Sequence, residues 1–121
     1  MNIEFRVEQR FEKELEKYNK SEKKKIIEKI NFFADCAEND NLELAYHHLH
    51  KLKIPEIENF IDTTLYSYKI DKKLRLIILF DEDPLFDQII VTLLRIVSPD
   101  DYNKVFKSIA ESLYQKRNGG F

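Results

Sequence analysis

Two arginines and a tyrosine in the second half of the chain have side chains that could bind and strain a phosphodiester. Arg75 and Arg95 each lie within a run of aliphatic residues, and Tyr102 follows soon after the second run. A guanidinium matches phosphate oxygens with a fixed fork of donors, and a phenol can transfer a proton or stack on a base. If both runs are strands of one sheet that leads into a helix, the three side chains lie near one another. The alternative is structural: each arginine could pair with a carboxylate at the sheet edge, and Tyr102 also belongs to an apolar helical stripe.

Three consecutive strands are the elements that would position these side chains. Aliphatic and aromatic residues dominate segments 65–70, 74–80 and 89–96, and residues 71–73 separate the first two segments at hairpin spacing. We therefore expect the first two strands to pair antiparallel. In the middle strand both faces are apolar apart from Arg75, which predicts a central strand covered by helices. Alternation places on one of its faces Leu74, Leu76, Ile78 and Phe80.

A long helix is predicted after the last strand. Ser98 offers a hydroxyl cap, Pro99 suits the first helical position, and two acidic residues follow in the first turn. The glycines within 118–120 end the pattern. The predicted helix therefore covers about residues 99–117, with an apolar stripe of Tyr102, Val105, Phe106, Ile109, Ala110, Leu113 and Tyr114.

The first half of the chain predicts a strand and a helical hairpin. Ile3, Phe5 and Val7 alternate with charged residues, which indicates a short strand with one buried face. Segment 9–18 has apolar residues three to four apart, as in a surface helix. Asn19, followed three residues later by Glu22, predicts a capping box. The second helix then presents an apolar stripe of Ile26, Ile27, Ile30, Phe33, Ala34 and Ala37.

Segment 42–60 shows neither a helical nor a strand period, so we interpret it as a connector with a short strand or turn. It contains His47, His48 and His50, and neutral imidazole is a common zinc ligand. Their spacing does not match the familiar metal motifs, so no metal and no cofactor is expected. A histidine here could also act as a general acid or base, or simply be part of a basic surface.

Composition limits the remaining possibilities. A chain of 121 residues, 43% of them hydrophobic and with two glycines, predicts one domain over residues 1–121 with a single core. Cys36 is a lone cysteine in a helical pattern, which favours a core position. No signal peptide or membrane span is evident, so we expect a cytoplasmic protein without a membrane partner. The formal net charge of −2 means that any nucleic-acid contact must come from a local patch.

These patterns indicate an α+β domain with an N-terminal strand, a helical hairpin, an antiparallel sheet of about four strands and a long C-terminal helix. Their order resembles the RelE/ParE superfamily of toxin–antitoxin toxins. The resemblance extends over about residues 3–105, and the strand pair at 65–70 and 74–78 is its most recognisable part. The other segments that carry it are 10–15, 49–52, 93–96 and 100–102.

The resemblance implies the toxin of a type II pair, neutralised by an antitoxin protein. The implied activity is that of a metal-independent endoribonuclease, which cuts messenger RNA on the ribosome by activating the ribose 2′-hydroxyl. By position, Arg75 and Arg95 would stabilise the charge on the phosphorane, and Tyr102 would assist proton transfer or stack on a base. The implied RNA-binding residues are His50, Lys51, Lys53, Lys72 and Lys73.

Two features of this chain depart from the family pattern. Many members carry His-Arg just before the acidic residues, where this chain has Ser98-Pro99, and typical members are basic. Two further functions are therefore open: a ParE-like inhibitor of DNA gyrase, and a catalytically silent homologue that binds a partner protein. The C-terminal helix could also cover the site or mediate a homodimer.

Overall fold

The computed structural model describes residues 2–39, 41–51 and 65–119. Nine elements follow one another along these ranges, and their order is mixed α and β. They are β1 Asn2–Val7, α1 Gln9–Glu16, α2 Lys20–Glu38, α3 Leu42–Tyr46, β2 Leu49–Lys51, β3 Leu65–Lys69, β4 Arg75–Asp83, β5 Gln88–Val97 and α4 Tyr102–Gly119. No helix in these ranges is long and apolar enough to cross a bilayer.

The strands form one sheet in the order β1-β5-β4-β3-β2. β1 pairs with β5 in parallel, whereas the other neighbours are antiparallel. The predicted α+β class and the predicted hairpin between β3 and β4 are confirmed, and β4 is the central strand. The sheet has five strands rather than about four, because part of the connector forms β2. With three residues in β2 and five in α3, neither element is long enough to show a period.

One face of the sheet packs against α1 and α2 and contains most of the core. Phe11, Ile26 and Phe33 from the helices meet the predicted β4 face that includes Leu76 and Ile78, all of them at most 2% exposed. Cys36 is also buried, as predicted, and burial raises the pKa of its thiol. The Tyr68 hydroxyl donates to the Lys29 carbonyl at 2.9 Å, and burial raises the pKa of Tyr68 to about 12.

Two residues of the predicted apolar stripes are exposed rather than buried. Ile27 is 47% exposed and Val7 is 46% exposed, so neither belongs to the core. Ile27 lies one position beyond the row that faces the sheet, which contains Ile26 and Phe33. Val7 is the last residue of β1, and α1 begins two residues after it.

The other face of the sheet packs against α4. Leu65, Ile77 and Val97 are buried there, with the side chains of Tyr102, Val105, Phe106 and Ile109 packed against them. Helices thus cover both faces of β4, as the apolar pattern of that strand predicts.

Local hydrogen bonds determine where two of the helices begin. The predicted capping box is present: the Glu22 backbone N–H donates to Asn19 Oδ1 at 2.8 Å, and the Asn19 N–H donates to Glu22 Oε1 at 3.5 Å. The predicted start of the last helix is wrong by three residues. The Ser98 hydroxyl bonds to the Asp101 carboxylate at 3.3 Å instead of capping a backbone N–H, and residues 98–101 form a turn. The long helix expected from Pro99 is therefore shortened at its N-terminal end.

Candidate nucleic-acid interface

Strand register brings Arg75 and Arg95 to the same face of the sheet. Arg75 pairs with Val97, and Arg95 pairs with Ile77 two residue pairs away. Cross-strand partners share a face, and Val97 and Ile77 both belong to the cluster under α4. The two arginines are therefore diagonal neighbours, with Cα atoms about 7–8 Å apart.

A bulge in β5 produces this arrangement. Ile77 pairs with Arg95 whereas Ile78 pairs with Leu93, so Leu94 is the extra residue. Strict alternation from Leu93 would turn Arg95 toward the α1 and α2 side instead. Leu93 and Ile96 face the same side although three positions separate them. Because this is known only from the structure, the sequence does not reveal the bulge.

Arg95 is not a free cation, because Glu14 of α1 neutralises it. Arg95 Nε and Nη2 both lie 2.9 Å from Glu14 Oε2, and the two side chains are 14% and 18% exposed. The other carboxylate oxygen accepts the Ile96 backbone N–H at 3.0 Å. β1 stops pairing at Leu93, so Glu14 satisfies an edge N–H that no strand reaches. Sequence reasoning missed Glu14, since it is one of several acidic residues on a surface helix.

The turn between β3 and β4 contributes a cluster of cations at the same end of the sheet. Lys69 pairs with Arg75, and Lys72 and Lys73 are exposed in the turn. None of these four side chains forms an ion pair with another residue in the described ranges. The intervening carboxylate, Asp71, is already engaged.

Asp71 shapes this turn. Its Oδ1 accepts the Lys73 and Leu74 backbone N–H groups at 2.7 and 2.8 Å, and Oδ2 lies 3.5 Å from Lys25 Nζ. Burial alone would raise the pKa of the Asp71 carboxyl, but these donors and the Lys25 charge outweigh it and lower the pKa below its usual value. The carboxylate therefore stabilises the turn and leaves the neighbouring lysines as net positive charge.

His50 lies on the same row of the sheet as Arg95, at the far edge. The row runs from His50 through Ser67 and Ile77 to Arg95. Three strand spacings separate its ends, about 14 Å. His50 is exposed on β2. Lys51, on the same edge strand, pairs with Tyr66 of β3. Lys53 lies outside the described residues.

The other two histidines are not arranged for ligation. His48 stacks on Tyr68 at 6.3 Å between ring centroids and meets the edge of Phe32 at 5.3 Å. His47 is exposed at the end of α3. Within residues 2–39, 41–51 and 65–119, no three His, Cys, Asp or Glu side chains are grouped so that they could hold a metal ion.

Tyr102 lies on the arginine-bearing side of the sheet but within apolar packing. It is half-buried, stacks on Phe106 at 6.3 Å between ring centroids, and packs against the cluster that contains Val97. Val97 is the cross-strand partner of Arg75, so Tyr102 lies next to the row that carries this arginine.

A groove that sequence reasoning missed separates α1 from α4. It has a volume of about 430 Å³, and its charged lining consists of Arg10, Lys17, Arg95 and Lys104 against Glu14 and Asp101. The Glu14 charge is cancelled by Arg95, which leaves Arg10, Lys17 and Lys104 against Asp101. The balance is positive, so the groove suits an anionic group such as a phosphate. These cations come from elements far apart in sequence, and no short motif signals them.

No model of a known protein family matches the chain, and no curated protein sequence matches it.

Proposed function

We propose that the chain is the toxin component of a type II toxin–antitoxin pair of the RelE/ParE kind, acting in the cytoplasm on messenger RNA at the ribosome. The observation that carries this proposal is the shared sheet face of Arg75 and Arg95, at the end where Lys69, Lys72 and Lys73 cluster. Two arginines whose Cα atoms lie about 7–8 Å apart on one face are close enough for both side chains to reach one phosphodiester, and the lysines beside them are suited to the neighbouring phosphates. An antitoxin protein is the partner that this class of toxin requires.

The roles of the two arginines differ. Arg75 is half-buried and available to a phosphate, so it is the residue that stabilises the developing charge on the phosphorane. Arg95 contributes directly only if a bound phosphate displaces Glu14. The backbones of His50 and Arg95 lie about 14 Å apart along the row, which favours contact of His50 with a different phosphate. His50 is instead suited to a nucleotide further along the strand.

A second candidate function has its own supporting observation. α4 covers the sheet face that carries the arginines, and Tyr102 is part of that covering layer. A ParE-like inhibitor that binds DNA gyrase needs no open ribonuclease site. In this case the cations would contribute to protein binding rather than to cleavage.

Arg75→Ala is the sharpest test, because this side chain has no ion pair within the described ranges and its loss should not disturb the fold. In a cell-free translation reaction, the wild type is expected to cut translated messenger RNA, and Arg75→Ala to cut about 10²-fold more slowly. The matched control is Lys13→Ala, an exposed cation on α1, which should behave as wild type. Cleavage is read at nucleotide resolution.

The outcomes separate the two functions. Intact messenger with the wild-type chain would rule out the ribonuclease proposal. Inhibition of gyrase supercoiling by the same preparation would then favour the second candidate. Equal cleavage by wild type and Arg75→Ala would keep the activity but remove Arg75 from the site.

A further inference from the structure

The tip of the β4–β5 hairpin exposes two large apolar side chains. Leu85 is 82% exposed and Phe86 is 69% exposed. The turn is nevertheless structured, because Asp83 Oδ1 accepts the Leu85 and Phe86 backbone N–H groups at 3.2 and 3.4 Å. The Asp87 carbonyl also accepts the Asn2 N–H at 3.2 Å, which fastens the tip to β1. A rigid turn thus holds an adjacent apolar pair in water, which is typical of an interaction site.

The charges around the tip restrict what it can contact. The carboxylates of the segment are Asp81, Glu82, Asp83 and Asp87, and residues 81–87 contain no cation. Anionic lipid headgroups and nucleic acid would both be repelled by this segment. A partner must offer an apolar pocket bordered by cations.

This same chain offers such a pocket at the opposite end of its sheet. A groove of about 400 Å³, here named the lysine groove, has an apolar lining of Phe32 and Ile70 and is bordered by Lys25 and Lys29. Asp71 lies 3.5 Å from Lys25 and Glu28 lies 4.0 Å from Lys24, so these charges offset one another and Lys29 contributes the remaining positive charge of the lining. Lys72 and Lys73 follow Asp71 in the adjacent exposed turn. The groove is therefore apolar inside with a positive surround, which complements the tip in both respects.

The placement of tip and groove allows a closed dimer. β4 begins beside the groove and ends at the tip, so about 30 Å separates the two features at 3.4 Å per residue. Two copies lying antiparallel about a two-fold axis would place each tip at the other copy's groove, and both contacts would form together. We propose that the chain forms this two-fold dimer, with Leu85 and Phe86 of each copy inserted into the lysine groove of the other.

Further apolar residues lie on the same side of the molecule. Ile27 on α2 is 47% exposed, and Leu44 and Tyr46 on α3 are 43% and 38% exposed. α2 and α3 both pack on the sheet face that borders the lysine groove.

Sedimentation velocity over a range of protein concentrations tests the contact. The wild type should sediment as a dimer, and Leu85→Ser with Phe86→Ser should raise the dissociation constant at least tenfold. Val7→Ser is the matched control, since Val7 is an exposed apolar residue on β1. Circular dichroism establishes that each variant is folded. A monomeric wild type, or a dimer that survives the tip substitutions, would overturn the proposal, and species that grow beyond the dimer would overturn its two-fold form.

A charge exchange tests whether the tip meets the groove directly. Asp81→Lys with Glu82→Lys reverses charge beside the tip, and Lys29→Glu with Lys72→Glu reverses it around the groove. Each double variant alone should be monomeric. An equimolar mixture should dimerise, because the reversed tip meets the reversed groove while the second contact keeps its native charges. A mixture that stays monomeric would place the partner of the tip elsewhere.

Discussion

Arg95 is a cation whose charge the fold has already neutralised. The sequence predicts either a phosphate-binding arginine or an ion pair at the sheet edge, and the ion pair with Glu14 is present. The choice depended on a carboxylate 81 residues away, which no local pattern could identify. The common face of Arg75 and Arg95 likewise depended on the bulge at Leu94. The candidate site residues could be chosen from the sequence, but their partners and their orientation required the tertiary structure.

Removing Arg95 alone should be more harmful than removing it together with its partner. Arg95→Gln leaves the part-buried Glu14 carboxylate without its counter-charge; breaking a fully buried pair costs about 3–5 kcal/mol, and this pair should cost somewhat less. Adding Glu14→Gln should recover part of this loss, giving a coupling energy of about 1–3 kcal/mol. Urea denaturation of the four proteins of the cycle measures it. Additive effects would show that the pair contributes little energy, and Arg95 would then count as a cation available to a ligand.

At the scale of elements, prediction succeeded where a signal is local and failed where an element is short. The capping box of α2 and the hairpin between β3 and β4 are both coded within a few residues, and both are present. α3 and β2 are too short to establish a period. The start of α4 was misplaced because Ser98 has two possible partners, a backbone N–H or the Asp101 side chain, and only the structure shows which it uses.

The Asp71 turn gives the molecule a pH dependence with a defined sign. The pKa of Asp71 is lower in the folded state than in the unfolded chain, where an aspartate titrates near about 3.9. Its charge therefore stabilises the fold above the unfolded-state pKa, and that contribution is lost as the pH falls through the lower, folded-state pKa. Asp71→Asn should be less stable than wild type at pH 7, and the difference should shrink toward zero in acid below that unfolded value.

Denaturant unfolding at a series of pH values measures this difference. Asp71→Ala should lose about 1–2 kcal/mol more at neutral pH, because the acceptor for two turn N–H groups is also removed. Asp100→Asn, at an exposed carboxylate in the turn before α4, is the control and should show no such trend. A difference between wild type and Asp71→Asn that persists undiminished in strong acid would contradict the assignment.

At the scale of the whole molecule, the sheet separates two unequal apolar layers. The apolar pattern of β4 predicts that both of its faces are covered, but it does not predict how tightly each covering layer packs. On the α1 and α2 side, Phe11, Ile26 and Phe33 are at most 2% exposed. On the other side, Tyr102, Val105, Phe106 and Ile109 of α4 pack on the sheet and are half-buried. We therefore expect α4 to be the less stable layer.

Amide hydrogen exchange tests this order of stability. Amides of residues 76–78 in β4 have bonded strands on both sides, so they should exchange only on global unfolding. Amides of residues 105–112 in α4 should exchange through a local opening of lower free energy. Phe106→Ala should speed exchange in α4 with little change in β4, whereas Phe33→Ala, which empties a site in the main core, should lower protection in both and cost about 3–5 kcal/mol. Equal protection of α4 and β4 would mean that the two layers open as one unit. A ligand that needs α4 to move could then not reach the arginine-bearing face of the folded protein.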